Sequence, residues 1–336
     1  MNVVQHMKTD ITIDRLATLF RQGIGKKIAV LGDVMLDRYF WGNVHRISPE
    51  APVPVVDVEH ETVHLGGASN VAVNLKSLGA EPLMIGVVGD DNSGKVLREI
   101  VREAQMNDTG IITATDRPTT VKTRIIGNNQ QIARLDREVS SSLPLHTEEL
   151  VVNVVREHLD SLDGIIIEDY NKGVITHQLI REVVTLARSK NIPVFVDPKY
   201  NNFFEYQFVT LFKPNRKETQ DALNIQLATD DDILRAGNEL LKRLNAENVL
   251  ITLGARGMML FEKSGTVSSV PTHARNVADV SGAGDTAIAT LAFAFTAGAS
   301  MTESVVLANY AAGVVCEEPG IIAISQQRLR ETLTRS

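Results

Sequence analysis

The sequence predicts an α/β fold with a doubly wound, mostly parallel sheet flanked by helices, and its length of 336 residues allows one large domain or two small ones. Two observations predict it. Short apolar segments alternate with segments of helical periodicity along most of the chain, which is typical of parallel sheets with crossover helices. Several apolar segments also end in a side chain that could bind a ligand, namely Asp33, Asp169, Asp197, Asn215 and Thr252. Ligands of such sheets bind beyond the carboxyl ends of the strands, so we expect one polar site along that edge.

Composition and charge exclude several classes of protein. The net charge of −7 argues against a nucleic-acid partner, because affinity for phosphate backbones comes from clustered Lys and Arg. The N-terminal residues lack the apolar core of a signal peptide, and the longest apolar segment, residues 287–299, is too short and too polar to span a bilayer. We therefore expect a cytoplasmic protein. Cys316 is the only cysteine, so the sequence holds neither a disulfide framework nor a cysteine metal cluster.

The first elements are a helix and a buried strand. Residues 10–25 carry apolar side chains at helical spacing, and residues 27–33 form a short apolar segment that ends in Gly32 and Asp33. At the carboxyl end of this strand Asp33 could contact a substrate, and the alternative is a turn-forming or helix-capping role.

Residues 41–65 predict a small separate sheet, because prolines, which belong at edge strands and turns, precede valines in nearly alternating register. The segment contains His60 and His64 in the spacing H-E-x-x-H of zinc proteases. That motif needs a helix to bring both imidazoles to one ion, whereas in a strand the two residues lie roughly 13 Å apart. A zinc site is therefore disfavoured.

A double glycine, Gly66 and Gly67, opens the next helical segment, where it permits close approach of a ligand to the backbone, and Asn70 lies in the first turn. A buried strand follows at residues 82–89. Residues 89–95 have the spacing of a phosphate-binding loop, but Val96 stands where a Ser or Thr should hold magnesium, and two aspartates would repel phosphate. We do not expect a nucleotide site there.

Residues 119–136 are predicted to form a hairpin around a Gly-Asn-Asn turn. Lys122, Arg124 and Arg134 could cluster on one face and meet an anionic substrate, or they could be solvated strand charges. Both interpretations stay open at this point.

The second half of the chain continues the alternation of strands and helices. Helices are predicted at residues 147–162, 176–190 and 231–244, and strands at residues 164–169, 193–197, 211–215 and 248–252, followed by a hairpin through residues 257–261.

Residues 279–286 (Asp-Val-Ser-Gly-Ala-Gly-Asp-Thr) join a glycine-rich turn to a helix. The unpaired N–H groups and the dipole of a helix N-terminus favour anion binding, and Asp285 beside that anion could take a proton from an attacking hydroxyl. This arrangement suggests phosphoryl transfer to an alcohol. The same residues match the dinucleotide pattern G-x-G-x-x-A with Glu303 downstream, but a helical pattern follows where a strand is required. A purely structural turn capped by Asp285 is the third interpretation.

Four motifs in order resemble the ribokinase-like (phosphofructokinase-B) sugar kinases: residues 66–70, the N-x-x-E pattern at 215–218, the T-x-G-x-x-G pattern at 252–257, and residues 279–286. Residues 32–39, 47–55, 129–136 and 169–173 further resemble the heptose 7-phosphate kinases. The resemblance implies a single ribokinase-like kinase domain over residues 1–336. It also implies an enzyme that phosphorylates the anomeric hydroxyl of D-glycero-D-manno-heptose 7-phosphate to the 1,7-bisphosphate, in precursor synthesis for lipopolysaccharide. No histidine forms the H-x-G-H motif of a fused nucleotidyltransferase, so a stand-alone kinase is expected.

The same resemblance implies roles for individual residues. Asp285 would be the base, and the backbone of Gly282, Ala283 and Gly284 would stabilise the transferred phosphoryl group. Residues expected at the nucleotide are Asn215, Glu218, Thr252, Gly254, Gly257 and Asn309, with Glu218 holding Mg²⁺ through water. Residues expected at the sugar are Asp33, Gly66, Gly67, Asn70 and Asp169, and those expected at its phosphate are Lys122, Arg124, Arg134 and Lys172.

ATP and Mg²⁺ are the implied cofactors, and the small sheet (residues 41–65 with 119–136) would be a lid that pairs two chains into a homodimer. Two alternatives remain: a kinase for another sugar or sugar phosphate, or a non-catalytic sugar or nucleotide sensor with the same fold.

Overall fold

The computed structural model describes residues 4–6, 11–272, 280–318, 320 and 322–335. Within these residues the strands are β1 (Val4–His6), β2 (Lys27–Gly32), β3 (Val34–Ile47), β4 (Pro54–Gly67), β5 (Glu81–Gly89), β6 (Ile111–Ala114), β7 (Thr120–Gly127), β8 (Gln130–Arg137), β9 (Gly164–Glu168), β10 (Val194–Asp197), β11 (Leu211–Phe212), β12 (Asn248–Thr252), β13 (Met258–Glu262) and β14 (Val267–Val270).

The described helices are α1 (Ile13–Gly23), α2 (Ala68–Ser77), α3 (Asn92–Glu103), α4 (Leu145–His158), α5 (His177–Ser189), α6 (Arg216–Leu223), α7 (Asp230–Leu244), α8 (Ala283–Thr296), α9 (Met301–Cys316) and α10 (Gln326–Arg335). None of them is long and apolar enough to cross a bilayer.

The large sheet has the order β1-β14-β13-β12-β11-β10-β9-β2-β5-β6. All neighbouring strands are parallel except at β13, which runs antiparallel to both β12 and β14. The prediction of a mostly parallel α/β sheet is confirmed. The parallel strands place their carboxyl ends on one edge, where the predicted polar residues gather.

Two apolar cores cover the two faces of this sheet. Ile28 and Val30 of β2 point into a core shared with α1, α2, α8 and α9, whereas Ala29 and Leu31 point into a core shared with α4, α5 and α7. Because successive side chains of a strand alternate between faces, a sheet covered on both sides has near-continuous apolar strands. This arrangement is the doubly wound architecture that the sequence predicts.

Around β11 the prediction was wrong in its boundaries. The strand ends at Phe212, and Asn215 instead forms the N-cap of α6, a helix that the sequence reasoning did not predict. Pro214 has no N–H to donate to a strand ladder, which explains why the extended segment stops here. The chain therefore turns sharply from the sheet edge into α6 and carries Asn215 with it.

The small sheet has the order β4-β3-β7-β8, with β3 and β7 parallel and the outer pairs antiparallel. The predicted hairpin is confirmed, and its turn residues Asn128 and Asn129 both have positive φ. His60 and His64 lie in β4, where His60 stacks on Trp41 and His64 packs edge-on against Tyr39. A strand with aromatic partners is not the helix that a zinc-protease motif requires.

The segment with phosphate-loop spacing has a structural role. Asp91 is the N-cap of α3, and its carboxylate accepts hydrogen bonds from the N–H of Gly94 (2.9 Å) and the hydroxyl of Thr119 (2.8 Å). An aspartate that caps the helix occupies the position where an anion would bind. The absence of a nucleotide site at residues 89–95 stays a prediction.

Candidate active site

Asp285 lies in the first turn of α8, directly after the glycine turn, and is 5% exposed. Gly282 is the N-cap, with a φ of 76°, a conformation that glycine adopts without strain. Asn70 donates its amide to Oδ2 of Asp285 at 2.7 Å, and the hydroxyl of Tyr170 donates to Oδ1 at 2.8 Å. The carboxylate is thus held by two donors from distant parts of the chain. Asp279, the first residue of the motif, lies outside the described residues.

The surroundings of Asp285 set its proton affinity. The pKa of its carboxyl is raised to about 6: burial raises it most, the hydrogen bonds from Asn70 and Tyr170 partly oppose this effect, and the charge of Asp197 adds to it. A carboxylate with this pKa is ionised at neutral pH and still accepts a proton more readily than a solvated aspartate.

Three buried carboxylates meet at the ends of β9, β10 and the start of α8. Oxygen atoms of Glu168, Asp197 and Asp285 all lie within 4.8 Å of one another. Burial and the charges of Asp197 and Asp285 raise the pKa of Glu168 well above its ordinary value, and its Oε2 accepts no hydrogen bond from the described residues. This cluster would be unstable without compensating positive charge.

Lys213 supplies that charge. Its ammonium forms an ion pair of 2.7 Å with Asp197, and the two side chains are 4% and 10% exposed. Burial lowers the pKa of Lys213, but the charges of Asp197 and Glu168 outweigh this effect and the pKa is raised overall, so the ammonium stays charged. Sequence reasoning did not find Lys213 as a site residue. Its only local signal is a lysine at the end of a buried strand.

Lys213 also lies beside the glycine turn. A Cβ atom added to Gly284 would be 3.6 Å from Oδ2 of Asp197 and 3.8 Å from Nζ of Lys213. A buried ammonium beside the N-terminus of a helix forms a favourable site for an anion. The predicted anion-binding turn thus has a cationic neighbour from a different strand.

Asp33 holds the loop that follows β9. Its Oδ2 accepts from the N–H groups of Tyr170 (2.8 Å) and Lys172 (3.0 Å), and its Oδ1 accepts from the N–H of Val174 (3.1 Å). Burial, with the nearby charge of Asp169, raises the pKa of Asp33 to about 6 against the effect of these bonds. The structure therefore gives Asp33 a positioning role, and its direct contact with a sugar stays a prediction.

Asp169 has a similar role. Oδ1 accepts from the N–H of Asn171 at 2.8 Å, and Oδ2 accepts from the side chains of Asn202 (2.9 Å) and Tyr206 (2.6 Å). Both oxygens already have protein donors, and the residue is 1% exposed. A contact with substrate stays a prediction here also.

The double glycine lets β3 and β4 approach the start of α2 closely. A Cβ on Gly66 would lie 2.1 Å from Oδ2 of Asp37, and one on Gly67 would lie 2.5 Å from the carbonyl oxygen of Asp33. A side chain at Gly67 would meet the backbone of Asp33, and one at Gly66 would displace the side chain of Asp37. The close approach brings Asn70, in the first turn of α2, within reach of Asp285.

The four predicted phosphate-binding cations differ in their partners. Arg124 forms an ion pair with Asp37, Arg134 with Asp136 (3.0 Å) and Lys172 with Glu138 (2.7 Å). Arg124 and Arg134 lie opposite each other in register, so they share a face of the small sheet.

Lys122 makes no ion pair within the described part of the chain, and its ammonium lies 5.6 Å from the centre of the Tyr170 ring. Lys122 is therefore the candidate best placed to accept an anionic partner.

Asn215 and Glu218 form a reciprocal capping box at the start of α6. The side chain of Asn215 accepts from the N–H of Glu218, and Oε2 of Glu218 accepts from the N–H of Asn215, both at 2.8 Å. Oε1 of Glu218 pairs with Lys199, which sequence reasoning did not find. A carboxylate suits Mg²⁺, and because both its oxygens already have protein donors, a contact through water fits better than direct coordination.

The remaining residues predicted to bind the nucleotide are Thr252, Gly254, Gly257 and Asn309. Thr252, at the end of β12, pairs with Asn215 in an isolated parallel bridge, and the loop that follows it folds back through Gly254 and Gly257, which both have positive φ. Asn309 of α9 donates its amide to the carbonyl of Pro271 at 2.7 Å, and Gly257 packs against the same segment. The structure thus links Asn215 with Thr252, and Gly257 with the segment that Asn309 contacts, while the binding of a nucleotide by these residues stays a prediction.

Residues 25–328 match the family described as pfkB family carbohydrate kinase. A bifunctional protein HldE of Geobacter sulfurreducens is 41% identical over 308 residues, which cover 92% of this chain. The chain spans only 63% of the length of that relative.

Solved structures show the same fold. Arabidopsis thaliana ribokinase complexed with ribose and ATP superposes with a TM-score of 0.73 at 18% identity, covering 93% of this chain and all of that one. Escherichia coli phosphofructokinase-2 in complex with fructose-6-phosphate gives a TM-score of 0.75 at 17% identity, covering 93% of this chain and 99% of that one. At these identities the likeness concerns the fold alone, and the predicted ribokinase-like architecture is confirmed.

Proposed function

The chain belongs to the pfkB family of carbohydrate kinases, and on this premise we propose that it phosphorylates the anomeric hydroxyl of D-glycero-D-manno-heptose 7-phosphate with ATP. Membership of the family makes it a phosphotransferase that acts on a sugar hydroxyl. The observation that carries the proposal is the buried carboxylate of Asp285, held by Asn70 and Tyr170 at the end of a glycine turn.

The chemistry follows from this geometry. Asp285 takes the proton of the sugar hydroxyl, the oxygen forms a bond to the γ-phosphorus, and the bond to the leaving ADP oxygen breaks. The ammonium of Lys213, 3.8 Å from a Cβ built on Gly284, and the N–H groups at the start of α8 would stabilise negative charge on the transferred group. Mg²⁺ would neutralise charge on the nucleotide phosphates, and Glu218 is the residue that would hold it through water.

The sugar identity rests on segments around the site that resemble heptose 7-phosphate kinases. Residues 169–173 form the loop whose Tyr170 contacts Asp285, and residues 32–39 include Asp33, which anchors that loop. The phosphate already present on the substrate needs positive charge, and Lys122 in β7 of the small sheet could provide it.

The function is tested by incubating the protein with ATP, Mg²⁺ and heptose 7-phosphate, and by following ADP release and the new C1 phosphate by ³¹P NMR. Formation of the 1,7-bisphosphate supports the proposal. Turnover only on ribose or fructose 6-phosphate would overturn the choice of sugar and leave the kinase activity in place. Sugar binding without ADP release for any of these sugars would favour the sensor instead.

We propose that the small sheet is a lid and that two lids pair into a homodimer. Val58 and Leu135 on its strands are 54% and 55% exposed, and large exposed apolar side chains favour association. Leu135→Asp should shift the sedimentation coefficient from dimer to monomer, while Ile24→Asp, which changes an equally exposed residue beyond α1, should not. A wild-type monomer at micromolar concentration would contradict the proposal.

A cytoplasmic location stays a prediction.

A further inference from the structure

Tyr170 lies at the junction of the two halves of the site. Its hydroxyl donates to Oδ1 of Asp285 at 2.8 Å. The ammonium of Lys122 lies 5.6 Å from the centre of its ring, and that of Lys199 lies 5.3 Å from it. Lys122 belongs to the small sheet, and Lys199 pairs with Glu218 on the nucleotide side. One side chain therefore contacts the base and both flanking cations.

The backbone of Tyr170 has little freedom. Asp33 accepts hydrogen bonds from the N–H groups of residues 170, 172 and 174, and Asn171 has a φ of 55°. A Cβ on Gly173 would lie 2.0 Å from the carbonyl oxygen of Ser141, so the loop also packs against the chain on its other side. A loop with so many constraints can hold a hydroxyl in one place relative to α8.

We propose that Tyr170 is a positioning residue for phosphoryl transfer, which orients the carboxylate of Asp285 toward the sugar hydroxyl and keeps it ionised, with Asp33 fixing the loop that carries it. This inference depends on the kinase activity of the family and not on which sugar is the substrate.

The charges around the pair support this role. The groups that face Asp285 and Tyr170 from the surrounding elements are Asn70, Lys122, Glu168, Asp197, Lys199 and Lys213. Burial and the neighbouring carboxylates, with Asp285 first among them, raise the pKa of Tyr170 well above its ordinary value, so its hydroxyl remains a donor at every working pH. Without that donor, burial and the charge of Asp197 would raise the pKa of Asp285 further.

The test is Tyr170→Phe, which keeps the ring between its cations and removes only the hydroxyl. In the wild type, kcat/KM should fall below a pH near 6, where Asp285 becomes protonated and can no longer accept the proton of the sugar. Loss of a hydrogen bond to the ionised carboxylate raises the pKa of Asp285. The acid limb of the pH profile of kcat/KM should therefore move up by about one pH unit in the variant. Its kcat/KM should drop roughly fivefold more at pH 6 than at pH 8, with the KM for ATP nearly unchanged.

The matched control is Tyr206→Phe. Tyr206 also donates a buried hydroxyl to a carboxylate, Oδ2 of Asp169 at 2.6 Å, but it does not contact Asp285. This variant should melt at a lower temperature and keep the acid limb in place. An unmoved limb in Tyr170→Phe, or equal shifts in both variants, would overturn the proposal.

A second readout needs no sugar and does not depend on whether Tyr170→Phe folds well. The carboxyl of Asp285 is titrated by ¹³C NMR in the substrate-free protein and assigned by its loss in Asp285→Asn. Tyr170→3,5-difluorotyrosine keeps the ring and has a more acidic hydroxyl, which is a stronger donor, so the pKa of Asp285 should fall. A pKa that rises or stays constant contradicts the role. This titration does not depend on turnover, so it can be interpreted even if every phosphorylation assay fails. The role of Tyr170 and the proposed kinase function are therefore tested separately.

Discussion

Asp285→Asn is expected to lower kcat by roughly two to four orders of magnitude, the range over which a positioned general base contributes. The amide has nearly the same shape and can still accept one of the two hydrogen bonds from Asn70 and Tyr170, but it cannot take the proton of the sugar hydroxyl. The measurement is steady-state ADP release at pH 8 with the sugar that the wild type uses. KM for ATP should change little, because in the proposed mechanism Asp285 acts on the sugar hydroxyl and not on the nucleotide.

The control for this prediction is Asp91→Asn. Asp91 caps α3, and asparagine caps a helix nearly as well, so both the fold and kcat should be retained. This variant also tests the loop with phosphate-binding spacing, since a nucleotide site at residues 89–95 would be altered by the change. Near-normal turnover of Asp285→Asn would remove Asp285 from the role of base.

The sequence could predict the elements of the site and the glycine turn, because these depend on neighbouring residues. Strand ends, the double glycine and the turn before α8 all have local patterns. The contacts that make the site are not local. Asn70 and Asp285 are separated by 215 residues, and Tyr170 and Asp285 by 115 residues. No periodicity or spacing states which strand end faces which helix start, so these pairs required the folded chain.

The non-local contacts of the four predicted phosphate-binding cations also could not be predicted from the sequence. Alternation along β7 places Lys122 and Arg124 on one face, and this was open to prediction. Whether each cation is available depends on carboxylates from other segments: Arg124 pairs with Asp37, which is 87 residues away, whereas Lys122 lies against an aromatic ring. Packing decides between a paired and an available charge. Sequence alone therefore does not distinguish the four candidates, whereas the structure shows that Arg124, Arg134 and Lys172 have carboxylate partners.

The capping box at Asn215 illustrates a motif whose local and functional meanings coincide. The pattern N-x-x-E, taken as nucleotide-binding by resemblance, is also a helix start in which each side chain bonds the other's backbone. The missed helix α6 could have been predicted from these residues. The ion pair of Lys199 with Glu218 could not, because Lys199 lies on a separate turn after β10.

Lys213→Met is expected to have the second large effect, on stability as well as on rate. Removing one partner of a buried ion pair leaves an uncompensated charge, which typically costs about 3–5 kcal/mol of unfolding free energy. Here Asp197 would be left beside Glu168 and Asp285, within a cluster of carboxylates. Because the ammonium also lies next to Gly284, we expect kcat to fall by roughly a hundredfold or more, as when a charge-stabilising donor is lost. Urea unfolding and ADP release measure the two effects.

Two further variants separate the stability effect of Lys213 from its effect on the rate. Lys213→Met combined with Asp197→Asn removes both charges, so the double variant should recover most of the lost stability, whereas its kcat should stay low because the glycine turn still lacks its ammonium. Lys217→Met is the matched surface control, since Lys217 pairs with Asp221 at an exposed (i, i+4) position where ion pairs contribute little, and urea midpoint and kcat should both match the wild type. Full activity in Lys213→Met would show that the ammonium only balances Asp197. Recovery of kcat together with stability in the double variant would lead to the same conclusion, because the rate would then follow the net charge of the carboxylate cluster and not a positive charge at the phosphoryl group.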